Sequence, residues 1–349
     1  MALIYRTVRM FMNKLKELEE EALRPSPALI EDLKSLEGDV LILGAGGKMG
    51  PDLAVLAKRA LDAARKNNAV IGVSRFSDAS LPPALEQEGV QTITADLLDD
   101  ASLQGLPEAK NVIYMAGTKF GTTGNESFTW AMNTYLPGRV AEKFRHARIV
   151  AFSTGNVYPL VPVLLGGASE EIAPQPVGEY AQSCLGRERM FEYFSKKYAI
   201  PTLIYRLNYA VDFRYGVLLE IAKAVQEEQR IDLTTGHVNV IWQSDANEYA
   251  LRSLALCDTP ARTLNVTGPE TVSVRWVAQE FGRLFDKTPQ FINEERPTAL
   301  LNNAAAAHQL FGYPKVPLKG MIALLATWLS QGGETIDKPT HFQERKGKF

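Results

Sequence analysis

A short apolar run, Val40–Leu43, leads directly into Gly44-Ala45-Gly46-Gly47-Lys48-Met49-Gly50, and a helical pattern opens at Pro51. Few folds accept strand, glycine loop and helix in that order. The glycines permit a tight turn, let the backbone approach a ligand, and let the helix pack close to the strand. The helix start presents unpaired N–H groups and the positive end of its dipole, which suits a pyrophosphate. The loop therefore predicts a bound dinucleotide, contacted by Gly44, Gly46, Gly47, Lys48, Met49 and Gly50.

Further apolar runs follow at Val70–Val73, Val90–Ile93, Val112–Met115, Ile149–Phe152 and Thr202–Tyr205. Helical stretches separate them, notably Pro51–Arg65, Ser127–His146 and Glu179–Tyr198. Alternation of this kind, with near-continuous apolar strands, predicts an α/β fold: a Rossmann-type doubly wound parallel sheet covered on both faces. The dinucleotide-binding domain is expected over 39–212. After it the rhythm changes. Helices near 215–228, 245–257, 274–286 and 317–331 mix with short strands at Val238–Trp242 and Thr263–Val266. This predicts a smaller, mainly substrate-binding region over 213–337, with segments returning to the Rossmann domain. Residues 1–38 read as a helical extension: an amphipathic helix over 13–24, then a second helix with Ser26 as N-cap, Pro27 at its first position and Gly38 as its stop. Residues 338–349 are charged and show no apolar face, so a mobile or surface-draped tail is expected.

Two strand ends refine the cofactor site. The second strand closes on Ser74-Arg75, and an arginine there suits a 2′-phosphate where an acidic residue would bond ribose hydroxyls. The cofactor expected is NADP or NAD, with NADP favoured. The third strand ends at Asp96-Leu97, where Asp96 is placed to accept from an adenine amino group.

Composition narrows the partners. A net charge of -2 gives no basic surface for nucleic acid or an anionic membrane, so neither is expected. No apolar run approaches the roughly 20 residues that span a bilayer. The apolar opening Met1–Met12 carries Arg6 and Arg9, which argues against a signal peptide. Two cysteines, Cys184 and Cys257, exclude a disulfide framework and fit a reducing, cytoplasmic setting. The histidines His146, His237, His308 and His341 lack ligand spacing, and no metal is expected.

Several of these segments together resemble the extended short-chain dehydrogenase/reductase family, the epimerase/dehydratase type, from about Val40 to Trp328. Gly44, Gly47 and Gly50 match its GxxGxxG, with Leu43 where a threonine is usual. Asp96-Leu97 matches its adenine-contact pair. Met115-Ala116-Gly117-Thr118-Lys119 resembles the strand end along the cofactor, and Asn133 stands at the family's helix asparagine. Phe152-Ser153-Thr154-Gly155-Asn156-Val157-Tyr158 resembles the Ser/Thr-rich motif, with Pro159 replacing its glycine. Arg206-Leu207-Asn208 resembles the segment at the nicotinamide end. Asp245, Asn265-Val266-Thr267-Gly268 and Leu310-Phe311-Gly312-Tyr313-Pro314 follow the C-terminal pattern. The resemblance implies cofactor contacts from Ala116, Gly117, Lys119, Asn133, Tyr180 and Asn208. It implies catalysis by Tyr180 and Thr154, with Ser153 nearby, and a homodimer built through the helices at 127–146 and 179–198. Residues following the motifs, namely Gly155, Asn156, Tyr158, Asn208, Tyr209, Arg214 and Trp242, are the expected substrate lining. Arg275 and Arg296 are candidates for a phosphate or carboxylate.

The family pairs its tyrosine with a lysine four residues on, one helical turn away and on the same face. Here the sequence is Tyr180-Ala181-Gln182-Ser183-Cys184. Tyr193 and Lys197 repeat the spacing but lie too far along the helix from Thr154. A free phenol has a pKa of about 10, and a nearby ammonium is what brings it into working range. Arg187 and Lys119 are the candidate replacements. Three readings follow. One is an NAD(P)-dependent epimerase, dehydratase or dehydrogenase acting on a small sugar-like substrate, with Tyr180 as acid/base. The second is a dinucleotide-binding sensor that lost its chemistry. The third is a scaffold.

Overall fold

Strands buried on both faces need helices above and below, and the chain supplies both layers. The computed structural model describes residues 15–119, 121–336 and 338–348. The opening Met1–Met12 and the first two residues of the helix expected over 13–24 lie outside the described residues. Seven strands form one sheet: β1 Val40–Leu43, β2 Val70–Ser74, β3 Gln91–Thr94, β4 Asn111–Tyr114, β5 Arg148–Thr154, β6 Thr202–Leu207 and β7 Arg262–Val266. Their order is β3-β2-β1-β4-β5-β6-β7, and every pairing is parallel. The order reverses between β1 and β4, which places a crevice at the carboxyl ends of these strands.

The pleat divides β1, β2, β4 and β5 between two cores. In β1, Val40 and Ile42 join one cluster with α1 (Pro27–Lys34) and α2 (Gly50–Ala63). Leu41 and Leu43 join the other, with Leu136, Val140, Phe191 and Phe194. In α2 the buried positions Leu53, Leu56, Ala57, Ala60 and Leu61 form an apolar stripe at helical spacing. Asp52 in its first turn suits the positive end of the dipole.

The helix expected over Ser127–His146 is divided. It runs as α3 (Glu126–Trp130), a π turn at Ala131–Tyr135, and α4 (Leu136–Lys143). Pro137 lacks the N–H that an α-helix would donate to the carbonyl of Asn133, so the chain takes a wider turn there. α5 (Gly178–Tyr198) packs against α4 and the π turn, and ends at Ala199 in the left-handed region, φ 53°.

A third cluster holds the second half together. It joins α6 (Val217–Gln226), α8 (Val274–Phe285) and α9 (Leu318–Ser330), with Phe213 stacked on Trp328 and edge-on to Trp242. Between α6 and α8 lies α7 (Gln243–Arg252), which packs on α1 and α2 instead. Thr263–Val266, expected in the smaller region, is part of the seventh strand of the main sheet. The run Val238–Trp242 is two strands. His237–Val238 pairs antiparallel with Val272–Ser273, and Ile241–Trp242 pairs parallel with Ala210–Val211. Asn239 between them turns its side chain to Asn208 and Asn302.

Both ends of the described chain are packed. Leu15, Leu18 and Ala22 lie against the third cluster, and Leu29, Leu33 and Leu36 enter the first. The tail expected to be mobile or surface-draped lies over the surface with an apolar anchor: Phe342 is only 2% exposed and belongs to the third cluster. One apolar residue anchors a segment whose composition is otherwise charged. Among the described residues no helix is long and apolar enough to cross a membrane.

Candidate active site

The glycine loop is shaped by what it cannot carry. At Gly44, φ is 99°, and a Cβ would fall 2.7 Å from the amide nitrogen of Ala116. At Gly50 a Cβ would meet the carbonyl oxygen of Ala45 at 2.5 Å. The loop thus passes close beneath the exit of β4 and presents bare backbone at the start of α2. It borders a cavity of about 370 Å³. Gly44, Gly47, Lys48 and Met49 line one side, and Gly117, Lys119, Ser153, Thr154, Asn156, Tyr180 and Asn208 another.

Two ammonium groups share this cavity. Lys48 Nζ lies 3.1 Å from the centre of the Tyr215 ring. Its pKa is lowered to about 7, first by burial and then by Lys119 and Lys338. Burial also lowers Lys119, to about 8. Cations dehydrated and crowded beside a bare helix N-terminus form a site that a diphosphate would complete. The chain's residues therefore fit a dinucleotide. Toward the adenine side, Ser74 and exposed Arg75 stand at the end of β2, and exposed Asp96 follows β3. Asp96 accepts from the Leu98 amide at 3.0 Å, while the Leu97 side chain is buried in the core, as is Ala116.

At the other end, β5 delivers Thr154 and α5 delivers Tyr180. Thr154 Oγ1 accepts from the backbone N and the Nδ2 of Asn156, at 3.2 and 3.0 Å. With both lone pairs taken, its hydroxyl proton is left for the Tyr180 hydroxyl. The Tyr180 hydroxyl is hydrogen-bonded with Thr154 and Cys184. Burial, and then Cys184, hold the Tyr180 phenol above its ordinary pKa, while Arg187 and Thr154 oppose them. Burial likewise pushes up the Cys184 thiol, against the pull of Arg187.

Arg187 is the buried cation of this site. It donates to Phe152 O and to Asn133 Oδ1, each at 2.8 Å. A Cβ on Gly117 would fall 2.3 Å from its Nη2, so the guanidinium lies directly under the cavity floor. Asn133, set by the π turn, also accepts from the Thr118 amide and donates to Thr118 O and Ser183 Oγ. It braces the site from below and does not line the cavity. Lys119 approaches from above, with Nζ 6.0 Å from the Tyr180 ring centre.

Ser153 borders the cavity, but its hydroxyl donates to Glu188 at 2.5 Å. Glu188 is paired with Arg206, which donates to the Tyr158 hydroxyl, and Tyr158 donates to Asn265. Four of the expected lining residues lie elsewhere. Tyr158 and Trp242 are buried in cores. Arg214 pairs with Glu19. Gly155 is backed by Asn302 and Asn208, beneath the cavity. Arg275 pairs with Glu295. Tyr193 is exposed on the outer face of α5. Conversely, Tyr215, Gln243 and Thr340 line the cavity without having been singled out. Their contacts cross long sequence separations, and no motif marks them.

The crevice, the glycine loop and the Thr154–Tyr180 pair define a Rossmann-type protein with a reactive end as well as a nucleotide end. The chain belongs to the NAD dependent epimerase/dehydratase family, whose model matches residues 40–229. It is accordingly a member of an enzyme family whose cofactor is a nicotinamide dinucleotide. No curated protein sequence matches it. Among solved structures, an epimerase from Methanothermobacter thermautotrophicus is similar with a TM-score of 0.70 and 17% identity, over 88% of this chain and 97% of that one. The UDP-glucuronic acid 4-epimerase of Bacillus cereus in complex with NAD gives 0.68 and 19%, over 84% and 99%. The UDP-glucose 4-epimerase of Thermus thermophilus, also with NAD, gives 0.66 and 19%, over 82% and 97%. At such identities the likeness establishes the fold.

Proposed function

We propose that the chain catalyses NAD(P)-dependent epimerase, dehydratase or dehydrogenase chemistry at a hydroxyl-bearing carbon of a sugar or sugar derivative. The observation that carries this reading is the Thr154–Tyr180 pair, hydrogen-bonded over the buried Arg187 at the end of a cavity that begins at the glycine loop. A bound nicotinamide dinucleotide supplies the acceptor and donor of a hydride. Tyr180 Oη takes the proton from the substrate hydroxyl and returns it to a carbonyl oxygen. Thr154, whose hydroxyl proton reaches the Tyr180 hydroxyl, turns that proton to the reacting oxygen once the substrate is bound. Arg187, fixed in charge, takes the part that a lysine plays in the resembled family, and Cys184 is a buried spacer. Ser153 acts through Glu188, by orienting β5 against α5. The named activities of the structural neighbours, epimerases of UDP-sugars, support a sugar-like substrate.

The same reading assigns 39–212 to the cofactor and most of 213–337 to the substrate. Exposed Arg75 favours NADP over NAD. Tyr135 and Tyr193, exposed on the helical face of the π turn and α5, support a homodimer there. The free thiols support a cytoplasmic setting. The experiment is to denature the purified protein, identify the released dinucleotide, and then screen sugars and sugar acids with the native protein. Tyr180→Phe is expected to retain the dinucleotide and lose turnover. Full turnover in that variant would overturn the proposal.

A further inference from the structure

The segment 338–348 passes the reactive cavity at Thr340 and is tied down in two places. At the first, Thr340 donates from its amide and its hydroxyl to Glu220 of α6, at 2.8 and 2.6 Å. Phe342 is buried in the third cluster. At the second, Arg345 donates to Thr298 O and Oγ1, at 2.7 and 2.6 Å. The backbone of Gly347 lies against Gly178, the first residue of the helix that carries Tyr180. At the first anchor the Thr340 carbonyl also accepts from Lys119 Nζ at 3.4 Å.

A second cavity of about 340 Å³ lies beyond this point, along α6. It is lined by Leu219, Glu220, Lys223 and Arg230, and by Lys338 and Phe342 of the segment itself. The two cavities have Tyr215, Gly216 and Thr340 in common. These three residues form a partition: Tyr215 and Gly216 from the bend that leads into α6, and Thr340 from the C-terminal segment.

We propose that segment 338–348 is a specificity-determining wall of the active site, confining the substrate to the size of a free sugar or sugar acid. A nucleoside diphosphate on the reacting sugar would have to extend along α6, where Thr340 and Phe342 stand and where the Glu220 carboxylate repels phosphate. Displacing the wall would merge the two cavities into one groove, with Lys223 and Arg230 along its far part. Through its carbonyl, Thr340 is also a positioning residue for Lys119 above Tyr180. The inference rests on the sugar-directed reading proposed above, but its central test does not require turnover.

UDP and UDP-glucose are titrated calorimetrically into the full chain saturated with its dinucleotide, and into a Phe342→Ala/Arg345→Ala variant. Hydrogen exchange across 338–348 is followed in parallel. The native chain is expected to bind neither nucleotide measurably. The variant is expected to lose protection in the segment and to bind UDP measurably, at least about tenfold more tightly than the weakest binding the titration of the native chain would register. If the double variant does not fold, Arg345→Ala alone removes one anchor without touching the core, and a smaller gain is expected. Micromolar binding of UDP-glucose to the native chain with the segment still protected would overturn the inference. So would a variant whose segment is released while UDP affinity stays unchanged. A protein that binds its dinucleotide but neither epimerises, dehydrates nor oxidises any sugar or sugar acid contradicts the earlier reading and leaves this binding result standing.

Discussion

A phenol buried beside a thiol holds its proton, and chemistry at Tyr180 depends on what opposes that tendency. Tyr180 and Thr154 were legible because their residue types fall in recognisable local order. The placement of Arg187 was only half legible. Its spacing put it near the right face of the helix, but its bonds to Asn133 and Phe152 come from elements 54 and 35 residues away. A unit charge a few Å away at an effective dielectric of ~20 is worth a few kcal/mol, and one pH unit corresponds to about 1.4 kcal/mol. Arg187→Met should therefore move the alkaline-dependent limb of substrate oxidation upward by about one pH unit or more. Turnover at neutral pH should fall, while dinucleotide affinity changes little. Adding a cation should do the reverse: Cys184→Lys is expected to shift that limb downward and raise turnover at neutral pH. The pH–rate profiles of the two variants check both expectations. An unmoved profile in Arg187→Met would show that Lys119 alone governs Tyr180.

The strands and long helices were legible because burial on both faces writes continuous apolar runs, and burial on one face writes a helical stripe. What was not legible is how α5 is held at its working depth. Glu188 and Arg206 are 1% and 4% exposed at their side chains and meet at 2.6 Å. The pair links α5 to β6, and Ser153 ties it to β5. In sequence Glu188 is unmarked, and Arg206, 18 residues on, stands in the segment that resembles the nicotinamide end, with nothing to pair the two. The break at Ala131–Tyr135 was hidden for a similar reason: Pro137 lies just beyond it, inside an otherwise regular pattern. Removing one partner of a buried pair leaves the other charge unsatisfied, which costs roughly 3–5 kcal/mol. Arg206→Met should lower stability by about that amount, read from the denaturant midpoint and slope. Glu188→Met/Arg206→Met should recover much of the loss, because no unpaired charge remains. If the double variant is as unstable as the single one, packing around Arg206 and not charge pairing is what holds α5.

At the scale of the molecule, the two halves meet where the cofactor helix faces the third cluster, and the contact is polar. One nitrogen, Gln243 Nε2, donates to Asp52 of α2 at 2.8 Å and to Asp212 at 3.1 Å. Two carboxylates sharing one donor in a buried place repel, and the halves bear that repulsion wherever both are ionised. Asp52 is raised to about 6, first by burial and then by Asp212, and Asp212 is also raised by burial. A carboxyl whose pKa rises on folding binds its proton more tightly in the native state. Its contribution is therefore complete below the ordinary value near 3.8 and is lost as pH rises through about 6. Above that range the native state carries an unfavourable charge worth at most roughly 3 kcal/mol. Asp52→Asn keeps the volume and an acceptor for Gln243 but cannot ionise. It should raise the melting temperature at pH 8, and the gain should shrink steadily toward pH 5. A gain that stays the same across that range would mean that packing, not ionisation, separates the variant from the native chain. An Asp52→Asn protein less stable than the native chain at pH 8 would show that the ionised carboxylate is favoured at the junction, through Arg214, which pulls its pKa the other way.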